Sequence, residues 1–174
     1  EFLPYDQMGR AMRARMEADP DTEFWFVIDD TAGDLMPAIA VPAPDITEMT
    51  AAGLWHTADG VPALAAAIGV DADALAGTVD RFNGFAAQGH DDDFERGEDP
   101  YGRFFVGATA AAQCLQPIAT SRLHAVRLVA GDLGTKGGAV INRDGAVCSP
   151  GGRTIGGLYA AGNSSASVAG TVYP

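Results

Sequence analysis

The sequence has little positive charge, few cysteines and no long hydrophobic run. Its 174 residues contain 11 Lys and Arg against 23 Asp and Glu, a formal net charge of −12. Binding to nucleic-acid phosphates relies on clustered Lys and Arg, so this balance argues against a nucleic-acid partner. No stretch approaches the roughly 20 apolar residues that span a bilayer, and the start EFLPYDQMGR lacks a basic region followed by an apolar segment. We therefore expect a soluble protein.

The two cysteines, Cys114 and Cys148, lie far apart without C-x-x-C spacing or a nearby His pair. We therefore expect neither a disulfide framework nor a metal site, and a reducing cytoplasm fits this composition best. GHDDDFERGEDPYGRFF, residues 89–105, is interpreted as a charged break whose acidic run is a solvated loop. It lacks the regularly spaced oxygen ligands and closing Glu of a calcium loop.

Common nucleotide-binding and catalytic motifs are also missing. No G-x-G-x-x-G follows a strand, and neither G-x-x-x-x-G-K-[ST] nor G-x-S-x-G occurs. The usual pyrophosphate cradle and the nucleophile elbow are therefore absent from this sequence. His56, His90 and His124 lack the sequence partners of an activated nucleophile, and we expect them to be ordinary surface or half-buried residues.

Hydrophobic spacing predicts an α+β fold in which helices pack on a mainly antiparallel sheet. Met8, Met12 and Met16 recur at intervals of four, which predicts a helix from Tyr5 to Ala18 with the methionines in the core. Further helices are predicted over 57–88, with Asp71 as an N-cap. The Pro-rich stretch 36–47 is expected to be a surface loop.

Three stretches are typical of β-structure. The aromatic and β-branched run EFWFVIDD, residues 23–30, predicts a buried strand, and LHAVRLVA, residues 123–130, alternates like another. AVINRDGAVC predicts a hairpin with Asp144 and Gly145 at its turn, and GLYAAG a last short strand.

Glycine is concentrated in three segments of the last third, 131–138, 151–157 and 161–170. Glycine is favoured where the backbone needs positive φ or where another group approaches closely. Tight turns would explain the first two segments as well as a ligand would. They do not explain the row of small residues 164–170, which favours a flat cofactor ring or a phosphate packed against this backbone.

Four segments carry a resemblance to a known family: TVDRFNGFAAQGHDDDFERGEDPYGRFF, GDLGTKGG, DGAVCSPGGRTIGGLYAAGNSSASV and GTVYP. In that order and spacing they resemble the second half of the flavoproteins that include 3-ketosteroid Δ1-dehydrogenases and soluble fumarate reductases. The resemblance runs from Leu3 to Pro174 and implies FAD as the cofactor. It implies a catalytic (capping) domain over 1–138 and a return segment of the FAD-binding domain over 139–174. The sequence is then a fragment lacking the N-terminal dinucleotide-binding domain, its expected partner.

The resemblance also implies roles for individual residues. Tyr5 and Tyr173 match the tyrosines that remove the α proton and hydrogen-bond the ketone oxygen. Without the resemblance, Tyr5 would be read as a half-buried aromatic residue at the start of a helix. The positions matching flavin contacts are Ala161, Gly162, Asn163, Ser167 and Val168. Those matching the substrate loop are Thr135, Gly137 and Gly138.

The implied activity is an FAD-dependent dehydrogenase that removes hydride and an α proton from a 3-ketosteroid or similar ring ketone. One alternative is a separately expressed, non-catalytic capping module that binds a hydrophobic ligand or a partner chain. A second is an enoate reductase similar to fumarate reductases. It is disfavoured because Leu133 and Gly134 precede Thr135, where those enzymes carry a His-Thr pair.

Overall fold

The structure is a computed structural model that describes residues 5–32, 45–131, 134 and 137–167. Its helices are α1 Tyr5–Ala18, α2 Ile46–Ala51, α3 Val61–Ile68, α4 Ala72–Gln88 and α5 Pro100–Val106. Its strands are β1 Phe24–Asp29, β2 Trp55–Ala58, β3 Leu123–Leu128, β4 Ala146–Cys148 and β5 Thr154–Tyr159. The named strands pair antiparallel in both sheets and helices accompany them, so the predicted α+β class is confirmed.

The chain divides into two compact units, Glu1–Val129 and Ala130–Pro174. This division falls ahead of the domain boundary that the sequence predicts at residue 138. The assignment of the two parts to a capping domain and a return segment stays a prediction.

The first unit is built on an antiparallel sheet with the strand order β1-β3-β2. β3 is the central strand, so Val126 pairs with Phe26 on one side and with Trp55 on the other. The predicted strands at 24–28 and 124–129 are thus confirmed as neighbours.

The core of this unit lies between the sheet and α3. Val61, Leu64 and Ile68 follow the three-to-four spacing of one helix face, and they pack against Leu123 and Ala125 of β3. Fully burying one such side chain contributes about 1.5–3 kcal/mol. This contact holds the helix to the sheet.

Helix α1 has the predicted bounds, but its methionines differ in burial. Met12 is buried and Met8 half-buried, whereas Met16 is exposed. The core-packing prediction is therefore confirmed for Met12 and wrong for Met16, because a helix at the edge of a unit buries only part of its apolar stripe.

The helix predicted from Thr57 is wrong at its start, because residues 55–58 form β2. Gly60 has φ of +87°, and a Pro stands in the first turn of α3, which begins at Val61. Pro fits the first turn because its missing N–H would be unpaired there. The N-cap prediction is confirmed, since the Asp71 side chain accepts a hydrogen bond of 2.7 Å from the N–H of Ala74.

The Pro-rich stretch 36–47 lies mostly outside the described residues. Where the description resumes, the sequence analysis missed a short helix. Asp45 caps α2, and its Oδ1 accepts from the N–H of Thr47 at 2.7 Å.

The acidic stretch after α4 is a turn organised around one buried carboxylate. Asp91 accepts hydrogen bonds from the backbone N–H groups of Asp93, Phe94 and Arg96. The predicted break is therefore confirmed up to Asp99 and wrong from Pro100, and the buried carboxylate of Asp91 was not predicted. Helix α5, which the sequence analysis missed, then starts at an N-cap formed by Asp99.

The second unit contains the predicted hairpin. Ile141 pairs with Val147, and Gly145 at the turn has φ of +78°. Beyond it β5 pairs with β4, and every residue of β5 is exposed in this chain. Across the described part of the chain, no helix combines the length and apolarity needed to cross a bilayer.

Candidate functional site

The turn that follows β5 carries three of the five residues that the sequence analysis matched to flavin contacts, Ala161, Gly162 and Asn163. The N–H of Ala160 donates to the carbonyl of Gly145 at 3.0 Å, which anchors the end of the strand to the hairpin turn. A 3₁₀ turn over Gly162–Ser164 follows. It is closed by Ser165, whose N–H and hydroxyl both donate to the carbonyl of Gly162, at 3.1 and 2.9 Å.

The glycine-rich segment 131–138 meets this turn directly. Ala139 donates its N–H to the carbonyl of Ser164, and its own carbonyl accepts from the N–H of Ala166, both at 3.0 Å. Gly138 has φ of +159°, and a Cβ there would lie 2.6 Å from the Ser165 oxygen and 2.8 Å from the Ala166 nitrogen. Only glycine allows this approach, because real Cβ atoms do not come so close to backbone.

A second close approach involves Gly134 and Asn163. A Cβ on Gly134 would lie 2.6 Å from Nδ2, 2.8 Å from Oδ1 and 3.0 Å from Cγ of Asn163. The structure therefore brings the predicted substrate loop and the predicted cofactor-binding turn into contact within the second unit.

The predicted cofactor-binding residues differ in exposure. Ala161, Gly162 and Asn163 are exposed, whereas Ser167 is half-buried. Gly137 of the predicted substrate loop is also exposed. Three adjacent small or amide residues thus face solvent on one turn.

The other predicted site residues lie partly or wholly outside the description. Tyr5 is the first residue of α1, but its side chain is not among the described ones. Thr135, Val168 and Tyr173 lie outside the described residues. The structure therefore does not test whether Tyr5 and Tyr173 approach each other.

A polar cluster in the first unit was not predicted. His124 on β3 is only 4% exposed. Its Nε2 lies 2.7 Å from Asp30 Oδ1, and its Nδ1 lies 2.8 Å from the Thr57 hydroxyl. The expectation of a surface or half-buried His124 is thus wrong, because the central strand of a sheet is covered from both sides. His56 is half-buried and His90 exposed, as expected.

Asp29, the last residue of β1, is buried beside this cluster. It accepts hydrogen bonds from the N–H and hydroxyl of Thr31, at 3.0 and 2.6 Å, and from the N–H of Ala119 at 2.5 Å. Burial alone would raise the pKa of Asp29, but these hydrogen bonds outweigh it and hold the pKa below its ordinary value. The carboxylate is therefore ionised where it ties β1 to the chain before β3.

Metal chemistry finds no support among the described residues. They contain no group of three or more His, Cys, Asp or Glu side chains arranged to hold a metal ion. Both cysteines are free thiols, and burial raises the pKa of the Cys114 thiol.

Comparison with protein-family models shows which family the chain belongs to. The sequence model described as "FAD binding domain" matches residues 1–174. The chain belongs to this FAD-binding family. It is a family of FAD-dependent oxidoreductases, so the resemblance seen in the sequence is confirmed and FAD is the indicated cofactor.

Curated relatives in this family include dehydrogenases of cyclic ketones. The 3-oxosteroid 1-dehydrogenase of Mycolicibacterium smegmatis is 36% identical over 157 residues, which cover 86% of this chain and 27% of the relative. The 4-oxocyclohexanecarboxylate 2-dehydrogenase of Sinomonas cyclohexanicum is 38% identical over 116 residues, 66% of this chain and 20% of the relative.

A solved structure agrees with the fold. The 3-ketosteroid delta1-dehydrogenase from Sterolibacterium denitrificans, in complex with 1,4-androstadiene-3,17-dione, is 34% identical with a TM-score of 0.71. The match covers 98% of this chain and 32% of that chain. The present chain therefore spans about a third or less of the length of these relatives.

The residues of the turn after β5 fit an FAD-binding role. Gly162 has φ of +57°, and the structure describes no heavy atom within 4 Å of where its Cβ would lie. The exposed Asn163 carries a primary amide, a group with N–H donors and a carbonyl acceptor. Open space beside a glycine and an exposed amide suit a flat, polar-edged cofactor such as FAD.

One residue of this site was missed by the sequence analysis. Gly134 was noted only for standing where fumarate reductases differ, although a Cβ there would lie within 3.0 Å of the Asn163 side chain. Its glycine-rich surroundings signalled a close contact, but the sequence did not show which residue the loop would contact.

Proposed function

We propose that this chain is part of an FAD-dependent dehydrogenase that introduces a double bond next to the ketone of a 3-ketosteroid or similar ring ketone. The observation that supports this most is the chemistry shared by its relatives. One is named for a 3-oxosteroid and another for a 4-oxocyclohexanecarboxylate, so both act on a ring that carries a ketone. The substrates named for the two relatives share a ring ketone, and the steroid is the larger of the two molecules.

In this proposal, residues 1–138 form the catalytic (capping) domain and residues 139–174 the return segment of the FAD-binding domain. The surface of the second unit supports that division. Val140, Ile155 and Leu158 are exposed over 62%, 43% and 47% of their surface. Large apolar side chains left exposed on a short two-stranded unit are typical of a surface that further polypeptide covers. The rest of an FAD-binding domain is the partner that the family membership suggests.

Desaturation beside a ketone requires removal of the α proton and stabilisation of the developing enolate oxygen. We assign Tyr5 as the base, whose deprotonated oxygen removes the α proton of the substrate. We assign Tyr173 as the donor, whose hydroxyl hydrogen-bonds the ketone oxygen. A tyrosine with an ordinary pKa of about 10 serves as a base only where its surroundings stabilise the phenolate. FAD, when bound, supplies the acceptor for the hydride from the β carbon.

The second unit supplies the contacts that hold cofactor and substrate. Ala161, Gly162 and Asn163 present small side chains and one amide to the flavin side, with Ser167 and Val168 beside them in sequence. Thr135, Gly137 and Gly138 form the substrate loop. The contact between Gly138 and Ser165 supports this grouping, because it fixes the loop against the turn.

The experiment uses the full-length protein that contains this chain. FAD content and steady-state desaturation are measured on a 3-ketosteroid and on 4-oxocyclohexanecarboxylate. Tyr5→Phe is expected to lower turnover by about 10²–10⁴-fold, the range for losing a general base. Tyr173→Phe is expected to lower it by about 10²-fold, since one donor to a developing oxyanion contributes about 3 kcal/mol.

Tyr159→Phe is the matched control, because Tyr159 lies on β5 outside the assigned site and the substitution removes only a hydroxyl. It is expected to keep full turnover. A full-length protein that contains no FAD, or that desaturates neither ketone, would contradict the proposal and favour the non-catalytic module. A Tyr5→Phe variant with unchanged turnover, when proton abstraction limits the rate, would remove Tyr5 from the base role.

A further inference from the structure

We propose that Gly134 is a positioning residue for Asn163. By leaving no side chain at 134, it lets the loop lie against the Asn163 carboxamide and fixes the direction in which that amide points. The inference rests on the proposed function in one respect, namely that Asn163 contacts FAD. It goes further by naming the residue that sets the geometry of the contact.

The distances show that a side chain at 134 would displace the Asn163 amide. A Cβ there would lie 2.6 Å from Nδ2 and 2.8 Å from Oδ1 of Asn163. Both polar atoms of the amide are crowded at once, so a simple exchange of their positions would not relieve the clash. The amide as a whole would have to swing away.

The backbone beneath Asn163 resists a compensating shift. Immediately after it, the carbonyl of Ser164 accepts from the N–H of Ala139, and the N–H of Ala166 donates back to Ala139, both at 3.0 Å. Gly138 adds a close packing contact with Ser165 on the same side. The backbone of the turn is thus tied to Ala139 on both sides of Ser165, so a shift of the backbone beneath Asn163 would cost these hydrogen bonds.

The exposure of Asn163 fits a positioning role. Its side chain is exposed although one side of its amide lies against Gly134. A primary amide carries donors on nitrogen and an acceptor on oxygen, so its direction decides which groups of a ligand it can pair with. Turning the amide away removes about one hydrogen bond to the cofactor, which corresponds to a roughly three- to tenfold higher dissociation constant for FAD.

The test is a double-mutant cycle on FAD affinity in the full-length protein, stripped of flavin and titrated with FAD. The variants are Gly134→Ala, Asn163→Ala and the two combined. Gly134→Ala is expected to weaken binding about three- to tenfold when Asn163 is present, and to have no further effect when residue 163 is Ala. Gly131→Ala is the matched control, because a Cβ at Gly131 meets no heavy atom within 4 Å among the described residues.

A second readout is independent of FAD. The side-chain amide signals of Asn163 in the nuclear magnetic resonance spectrum of the flavin-free protein are expected to move in Gly134→Ala and to stay in place in Gly131→Ala. Thermal unfolding of each variant checks that the fold is kept.

Two results would overturn the inference. One is an equal loss of FAD affinity from Gly134→Ala with and without Asn163, which would mean that the substitution distorts the loop by itself. The other is an unmoved Asn163 amide signal. A wild-type protein that binds no FAD would instead refute the proposed function, while the amide signal would still decide the role of Gly134.

Discussion

In the first compact unit Leu64 and Leu123 are fully buried at 0% exposure, whereas in the second Ile155 and Leu158 are exposed over 43% and 47%. The first unit packs a helix face against the central strand of its sheet and closes its own core. The second buries Ala146 and Val147 of β4, but β5 stays exposed throughout. The first unit therefore buries more apolar surface of its own than the second, and its own packing contributes more to its stability.

This difference indicates where single substitutions will act. Loss of a core side chain in the first unit leaves a cavity that the surroundings fill only partly. Loss of an exposed side chain in the second unit creates no cavity, because the side chain was already in contact with water. Stability measurements on this chain are thus expected to report mainly on residues of the first unit.

The largest effect is expected from Leu64→Ala. It removes a fully buried side chain from the core and is expected to lower the free energy of unfolding by about 2–5 kcal/mol. Alanine is a good helix former, so the loss measures packing and not helix propensity. Urea unfolding gives the value, with Leu54→Ala, at an exposed leucine, as the control. Similar losses for the two leucines would contradict the comparison.

An intermediate effect is expected from Asp29→Asn. The substitution places an amide where a carboxylate accepts from Thr31 and Ala119, and a buried N–H without an acceptor costs about 1–3 kcal/mol. Because the pKa of Asp29 is lowered in the folded state, its stabilisation is fully present above the unfolded value of about 3.9. It is lost as pH falls through the lower folded-state pKa.

Unfolding measured across this acidic range is therefore expected to show a smaller loss of stability in Asp29→Asn than in the wild type. Asp59→Asn, at an exposed position, serves as the control and is expected to keep the wild-type profile. An unchanged profile in Asp29→Asn would show that other carboxylates cause the acid sensitivity.

The smallest effect is expected from Leu158→Ser. In this chain it is expected to change the free energy of unfolding by no more than about 0.5 kcal/mol, as for most surface substitutions. In the full-length protein the same substitution is expected to cost more, because we propose that further polypeptide covers β5. Urea unfolding of both proteins gives the two values, and equal small values would mean that β5 is exposed in the full-length protein too.

Local patterns in the sequence predicted much of the fold. Helix α1, the strands β1 and β3 and the cap at Asp71 follow from spacing and capping chemistry that act within a few residues. The helix predicted from Thr57 failed because four residues, Trp55–Ala58, have no periodicity that separates a short strand from a helix start. These residues form a strand because they pair with β3, which lies nearly 70 residues away in sequence.

The sequence predicted some residues of the candidate site but not the contacts between them. The glycine-rich segments and Asn163 were found because glycine enrichment marks close backbone approach even when the partner is unknown. The contact between Gly134 and Asn163 was not, because it joins positions 29 residues apart through a parallel bridge at Ala139 and Ser165 that leaves no local pattern. The roles of Tyr5 and Tyr173 stay predictions.

The polar cluster around His124 is held together through the Thr57 hydroxyl. The indole N–H of Trp55 can only donate, and it donates to the Thr57 oxygen at 3.1 Å. On the other side of the imidazole, Nε2 lies 2.7 Å from the Asp30 carboxylate, which accepts hydrogen bonds, and Nδ1 lies 2.8 Å from the Thr57 hydroxyl. For a neutral ring this arrangement favours the hydrogen on Nε2, with Nδ1 accepting from the Thr57 hydroxyl. The donors would then point in one direction, from β2 across β3 to the residue after β1, and a Thr57→Val variant would remove the hydroxyl that both the indole N–H and Nδ1 contact.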